Sequence, residues 1–328
     1  MDKMILLADR NSNAWDFSKK IQKYIEEKYK IEIPLEEVEI SHFRNKEIYM
    51  HIPTSIRKKE VYFIQDSTKD PQTWWVELLL LKDLLLGASA ESVTLVLPDM
   101  YYSRQDRKDK PHVPISARAL ANSISSNLKK IITMDLHAAQ LQGVYPQNIP
   151  VDNLYSFPEV VRHLREKHLG ELEKMVVVSP DAGSAPRAKA FLKRLEKAQK
   201  EENKKQKYSI ALIDKTRFKS GEIEDMKLIG DVKNKNVFIP DDIIDSGNTL
   251  CGAAELLKKK GAKKLFCYGT HGIFTKGTQE ICEKFNIVMT SNTHHLEDDK
   301  VEVIDVSSIF AEAIYRAQMG LSISELFE

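Results

Sequence analysis

Short apolar runs alternate along the chain with longer segments whose apolar residues recur every three or four positions. The runs Met4–Ala8, Val61–Ile64, Val93–Leu97 and Ile131–Met134 are rich in Val, Ile and Leu and end in polar or proline-bearing turns, which predicts buried strands. Between them Trp15–Lys28, Thr73–Gly87 and Ile115–Leu128 carry the spacing of amphipathic helices. The second half repeats the rhythm. Strands are predicted at Met175–Ser179, Ile210–Ile213, Val237–Ile239, Leu265–Tyr268, Ile287–Thr290 and Val303–Val306. Helices are predicted at Pro186–Lys200, Leu250–Lys260, Thr278–Phe285 and Ile309–Met319.

Strands and helices of these lengths in alternation predict an α/β protein with parallel sheets covered by helices. Two such runs predict two similar halves, with a join near Pro150–Pro158 and domains at 1–153 and 154–328. At about 150 residues per domain, 328 residues also give two. Lys and Arg total 49 against 48 Asp and Glu, a formal charge of +1, which argues against general nucleic-acid or anionic-membrane binding. Glu201 and Glu202 interrupt the lysines of 199–207, so that polar stretch reads as a solvated helix end and loop. Three cysteines without CxxC spacing exclude a disulfide framework or zinc cluster and fit a reducing compartment. The first eight residues hold no secretory apolar run, and Lys82 and Asp83 interrupt the most apolar stretch, 76–88. That stretch is also far shorter than the ~20 residues of a membrane helix, so a cytoplasmic protein is expected.

Chemistry concentrates at 237–250, VFIPDDIIDSGNTL. An apolar strand ends in Asp241 and Asp242. A third acid, Asp245, precedes Ser246, Gly247, Asn248 and Thr249, after which a helix begins. Small residues at a helix start let backbone N–H groups converge on an anion, and the hydroxyls add donors, so the segment reads as a phosphate cradle. Three close carboxylates repel unless a cation or hydroxyl donors meet them; sugar hydroxyls or phosphate-bound Mg²⁺ would suit. An ordinary capped strand-to-helix turn is the bland alternative, and for SGNT alone it would be preferred.

The segment resembles the phosphoribosyl pyrophosphate-binding motif of type I phosphoribosyltransferases and phosphoribosyl pyrophosphate synthetases. Four further segments separate those relatives: SRQDRKDKPH at 103–112, TMDLHAAQ at 133–140, SPDAGSAPR at 179–187 and DKTR at 214–217. Together they are similar to the ribose-phosphate diphosphokinase family over nearly the whole chain, from Phe43 to the C-terminal SELF.

The resemblance implies two phosphoribosyltransferase-like (type I) domains, each a mainly parallel sheet flanked by helices. It implies transfer of the diphosphoryl group of ATP to the anomeric hydroxyl of ribose 5-phosphate, with Mg²⁺ as cofactor. Asp245, Ser246, Gly247, Asn248 and Thr249 would then grip the 5-phosphate, and Asp241 and Asp242 would meet the ribose hydroxyls or a second Mg²⁺. Asp181, Ala182, Gly183 and Ser184 would form a pyrophosphate loop, with His137, Asp135, Asp152 and Asp181 as metal candidates. Phe43, Asn45, Lys46 and Glu47, with Arg104, Gln105 and Asp106, would contact ATP. Lys215 and Arg217 match a basic catalytic pair.

The 43–47 turn reaches a neighbouring subunit's site in the family, so a homodimer is the minimum expected and hexamers are common among similar proteins. Three positions depart from the family: Asn148 stands where an acid is usual, Ser184 where a second glycine is common, and His112 where many members carry arginine. Two competing readings are a non-catalytic regulatory subunit and a phosphoribosyltransferase. The former could lose His137, Asp181, Lys215 or Arg217, and the latter would not need Arg104–Gln105–Asp106 or the Asn45/Glu47 turn.

Overall fold

A computed structural model describes residues 3–201, 208–216 and 225–327. The chain divides into two compact units: Met1–Tyr155 with Thr293–His295 and Val306–Glu328, and Ser156–Asn292 with Leu296–Asp305.

In the first unit, seven strands assemble in the order β3-β2-β1-β4-β5-β6-β7. They are β1 (Met4–Asp9), β2 (Leu35–His42), β3 (Ile48–His51), β4 (Glu60–Ile64), β5 (Ser92–Leu97), β6 (Lys130–Met134) and β7 (Val151–Leu154). All pairings are parallel except β2–β3, a hairpin at the edge. Strand alternation splits the core between two faces. Ile5 and Leu7 of β1 point towards α2 (Pro71–Gly87) and α3 (Ser116–Ile124), whereas Met4, Leu6 and Ala8 point towards α1 (Asn13–Tyr29).

The second unit repeats the permutation as β10-β9-β8-β11-β12-β13-β14. Its strands are β8 (Val176–Ser179), β9 (Ser209–Thr216), β10 (Asp225–Ile229), β11 (Asn236–Ile244), β12 (Lys264–Gly272), β13 (Ile287–Ser291) and β14 (Val301–Ile304). Here β9–β10 is the antiparallel edge. One face is covered by α4 (Phe157–Lys167) and α5 (Ala185–Glu201), the other by α6 (Asn248–Lys259) and α7 (Gln279–Lys284). The expected pair of mainly parallel, helix-flanked sheets is what the chain forms.

The change of unit at Tyr155/Ser156 falls within the predicted join at 150–158, between β7 and α4. Several elements differ from the pattern reading. Pro158 opens α4 instead of breaking it, because the first turn needs no N–H there. The last helix, α8 (Ser307–Met319), belongs to the first unit, not to a second domain running from 154 to 328. Its Phe310 and Ile314 are fully buried beside α1, with Phe310 edge-on to Phe17 at 5.4 Å. Lys28 and Tyr29 of α1 both bond the Glu312 carboxylate. Strand β11 runs five residues beyond Ile239, so Asp241 and Asp242 lie within it.

Candidate active site

In the second unit, the chain order leaves β8 towards one side through β9 and towards the other through β11. These adjacent, parallel strands therefore mark the point where the winding reverses. In open α/β sheets the crevice beyond the carboxyl ends of such strands receives ligands. The segments 181–184 and 245–249 both follow those ends, the first leading into α5 and the second into α6. Two helix N-termini thus begin at one sheet edge, with their positive dipole ends suited to phosphate.

The 181–184 loop folds over its own acid. Asp181 Oδ1 accepts the Ser184 backbone N–H at 2.8 Å, and Ser179 Oγ donates to the Asp181 carbonyl at 2.6 Å. A Cβ on Gly183 would stand 3.3 Å from Asp181 Oδ1, so a side chain there would crowd the carboxylate. Ala182 and Gly183 are exposed, and Asp181 and Ser184 are half-buried. The 245–249 turn reverses through Gly247, whose φ of 75° lies in the left-handed region that glycine enters without steric cost. The turn is fastened from the loop after β12: Thr275 Oγ1 donates to Asp245 Oδ1 at 2.6 Å, and Lys276 Nζ to Asn248 Oδ1 at 3.2 Å. Ser246 is half-buried, and Asn248 and Thr249 are exposed at the helix start.

The cation that the acid pair requires comes from the protein. Arg187, in the first turn of α5, bonds the Asp242 carboxylate and lies 3.6 Å from Asp241. Asp241 also accepts the Asp242 N–H at 3.0 Å. Burial, and next the Asp242 charge, push the Asp241 carboxyl above the usual range despite the guanidinium. Arg187, Thr275 and Lys276 were not singled out from the sequence. The only signal for Arg187 was its position one turn into the helix after SPDAGS.

The nucleotide candidates and three of the metal candidates, His137, Asp135 and Asp152, lie in the first unit. The loops after adjacent strands β5 and β6 meet there: Gln140 Nε2 donates to Asp106 Oδ2 at 2.9 Å, joining the RQD and DLH segments. Gln105 is held by the Ser116 hydroxyl at 2.5 Å, and Arg104 is exposed. Asp135 is buried with φ 42°, and the turn it begins is tied to β7 by its N–H to the Leu154 carbonyl and by the Leu136 N–H to Asn153 Oδ1. That turn leaves His137 exposed. Phe43, Asn45, Lys46 and Glu47 form the exposed tip of the β2–β3 hairpin. It is closed by Phe43 N–H to the Glu47 carbonyl at 2.8 Å and Glu47 N–H to Asn45 Oδ1 at 3.2 Å. Phe43 is 56% exposed.

Lys215 is a residue of β9 in register with Met226, and Arg217 lies outside the described residues. At the corresponding reversal of the first sheet, between β1 and β4, Lys69 bonds Asp9 at 2.9 Å and Glu77 at 2.8 Å. That crevice carries its own counter-ion. The phosphate-type loops occur in the second unit.

For Mg²⁺, the oxygen donors of the 181–184 loop, of the end of β11 and of the 245–249 turn are of the hard type the ion takes, and Asp181 beside the small Gly183 fits. Asp152 fits poorly, because Lys130 Nζ already neutralises it at 2.6 Å.

Two family models match the chain: the N-terminal domain of ribose phosphate pyrophosphokinase over residues 6–127, and the phosphoribosyl synthetase-associated domain over 197–328. A ribose-phosphate pyrophosphokinase of Rhizobium meliloti (strain 1021) is 36% identical over 306 residues, spanning 91% of this chain and 94% of that protein. The crystal structure of a phosphoribosylpyrophosphate synthetase from Mycobacterium smegmatis superimposes with a TM-score of 0.84 at 28% identity, covering 97% of this chain and 99% of the other.

Proposed function

This chain belongs to the ribose-phosphate pyrophosphokinase family, and we propose that it joins the diphosphoryl group of ATP to the anomeric oxygen of ribose 5-phosphate, releasing AMP. The observation that carries the assignment of sites is the placement of 181–184 and 245–249 beyond neighbouring strand ends at one winding reversal.

In this reading, the backbone and hydroxyls of Ser246–Thr249 grip the 5-phosphate at the start of α6, with Asp245 setting the turn. Asp241 and Asp242, held by Arg187, accept hydrogen bonds from the ribose hydroxyls. The Asp181–Ser184 loop receives the diphosphoryl group at the start of α5. The first unit supplies the nucleotide contacts, with Arg104, Gln105 and Asp106 towards the phosphates and the exposed 43–47 tip for the base. A second subunit would complete the nucleotide site through that tip. Lys215 and Arg217 meet charge that develops on the transferred group.

Mg²⁺ bound to ATP would supply charge neutralisation, and Asp181 is the residue of the second unit that would hold it. The chemistry asks little covalent help of the protein beyond this positioning. A cytoplasmic, homo-oligomeric enzyme fits the reading. The test is AMP release from ATP by purified protein with Mg²⁺ and ribose 5-phosphate. Release that depends on the sugar is expected, and release no greater than in a no-sugar control would overturn the assignment.

A further inference from the structure

Away from the loops described above, the second unit gathers three other ligand-type side chains. His163 lies on α4, His168 caps that helix, and Glu302 lies on the edge strand β14. His163 Nε2 is 2.5 Å from Glu302 Oε2, and His168 Nε2 is 2.9 Å from the same oxygen and 3.1 Å from Oε1. One ligand atom from each residue lies within 4.8 Å of the other two.

We propose that His163, His168 and Glu302 bind a late first-row divalent cation of the Zn²⁺ type, at a site separate from the Mg²⁺-dependent chemistry.

Four features carry this. First, both imidazoles turn the same nitrogen, Nε2, onto one carboxylate. A tetrahedral ion with bonds of about 2.0–2.2 Å spaces its ligand atoms roughly 3.3 Å apart, so sub-ångström opening of the present contacts admits one. Second, two imidazoles and one carboxylate suit Zn²⁺ or Co²⁺ and not Mg²⁺, which prefers oxygen donors. Third, the ligands stand on fixed supports. Glu302 is in register with Met289 of β13, and the His168 ring lies edge-on to Phe266 at 6.0 Å. Fourth, the His163 and His168 side chains are 11% and 13% exposed and that of Glu302 is 31%, so the open side can take water as the remaining ligand.

Sequence spacing hides the site. Five residues apart on a regular helix, two side chains diverge by about 140°. His168 joins His163 because the helix ends there, with φ −130° and ψ 30°, while its N–H still bonds the Leu164 carbonyl. An ion at this position would fasten α4 to the edge strand.

The full chain, stripped with chelator, is titrated with Co²⁺ as the spectroscopic probe, and Zn²⁺ is then added as competitor. The expected result is one equivalent with intense tetrahedral ligand-field bands, displaced by Zn²⁺, lost in His163→Ala and retained in His137→Ala. His163→Gln keeps a hydrogen-bonding group for Glu302, so it guards against misfolding. It should bind Zn²⁺ at least ~10-fold more weakly, since losing even a supporting partner of a ligand costs about 10–100-fold. Absence of bands in the unmodified chain would leave only a hydrogen-bonded staple and overturn the proposal. Bands that persist in both His163 variants, or vanish in His137→Ala, would overturn it as well.

Discussion

Arg187 grips the carboxylate of Asp242, and through that contact the helix following the 181–184 loop is fastened to the strand preceding the 245–249 turn. Asp241 stands 3.6 Å from the same guanidinium, so one cation serves two acids. Replacing Arg187 with Met would leave a largely buried carboxylate pair without its counter-charge. We expect a loss of about 3 kcal/mol, the usual cost of breaking such a pair from one side, read from urea unfolding. The KM for ribose 5-phosphate should rise in the same variant. Arg187→Lys keeps charge but not the fork, and should recover only part of both.

The raised Asp241 pKa carries a sign. Burial first, and then the neighbouring Asp242 charge, favour the protonated form in the folded chain. The unfolded chain releases that proton near pH 4. Between that value and the raised folded value the folded state binds more protons, so this group's contribution to stability falls as pH rises. Asp241→Asn keeps the shape and removes the titration. The urea midpoint of the variant should therefore depend less on pH across this window, and a parallel slope would exclude Asp241 as the source.

Glu312 has the opposite sign. Burial works to raise its pKa, but hydrogen bonds from Lys28 and Tyr29 outweigh it and hold the carboxyl below its usual value. Its stabilising contribution is present above the unfolded carboxylate pKa and is lost as pH falls through the folded one. The Tm difference between the unmodified chain and Glu312→Gln should narrow on acidification. Phe310→Ala, in the same helix, should cost about 3–5 kcal/mol, the range for deleting a buried phenylalanine ring.

Much of this architecture was legible from apolar periodicity, because fully buried parallel strands leave continuous Val, Ile and Leu runs. The strand β2, LEEVEISH, escaped because three glutamates break its apolar pattern and only Val38 is fully buried, and β7 is only four residues long. The assignment of α8 to the first unit depends on contacts such as Phe310 with Phe17, far apart in sequence, which no local pattern records. Within the site, the acid-rich strand end and the SGNT turn were readable because small residues and carboxylates are unusual there. Arg187 was not, since one arginine on a basic amphipathic helix looks like any solvated residue.

Gly247 tests the turn itself. An added Cβ would meet Ile281 only at 3.8 Å, so space is not the obstacle; φ 75° is. Gly247→Ala should cost about 1–2 kcal/mol from left-handed strain and weaken ribose 5-phosphate binding by shifting the helix start. Equal stability and unchanged KM would show the turn to be tolerant.

Asp245 and Lys215 should separate binding from turnover. Asp245→Ala removes the partner of Thr275 and should raise the KM for ribose 5-phosphate with a smaller change in kcat. Lys215→Ala should lower kcat by about 100-fold or more with little change in ATP affinity, because its charge acts in the transition state. Steady-state kinetics with each substrate varied would check both.

The most direct measurement follows the phosphorus atoms. ATP labelled at the β position is incubated with Mg²⁺, ribose 5-phosphate and the protein, and the products are separated. The account predicts that the label moves wholly to the sugar product while AMP emerges unlabelled. Label retained in ADP, with only the γ-phosphate transferred, would contradict it.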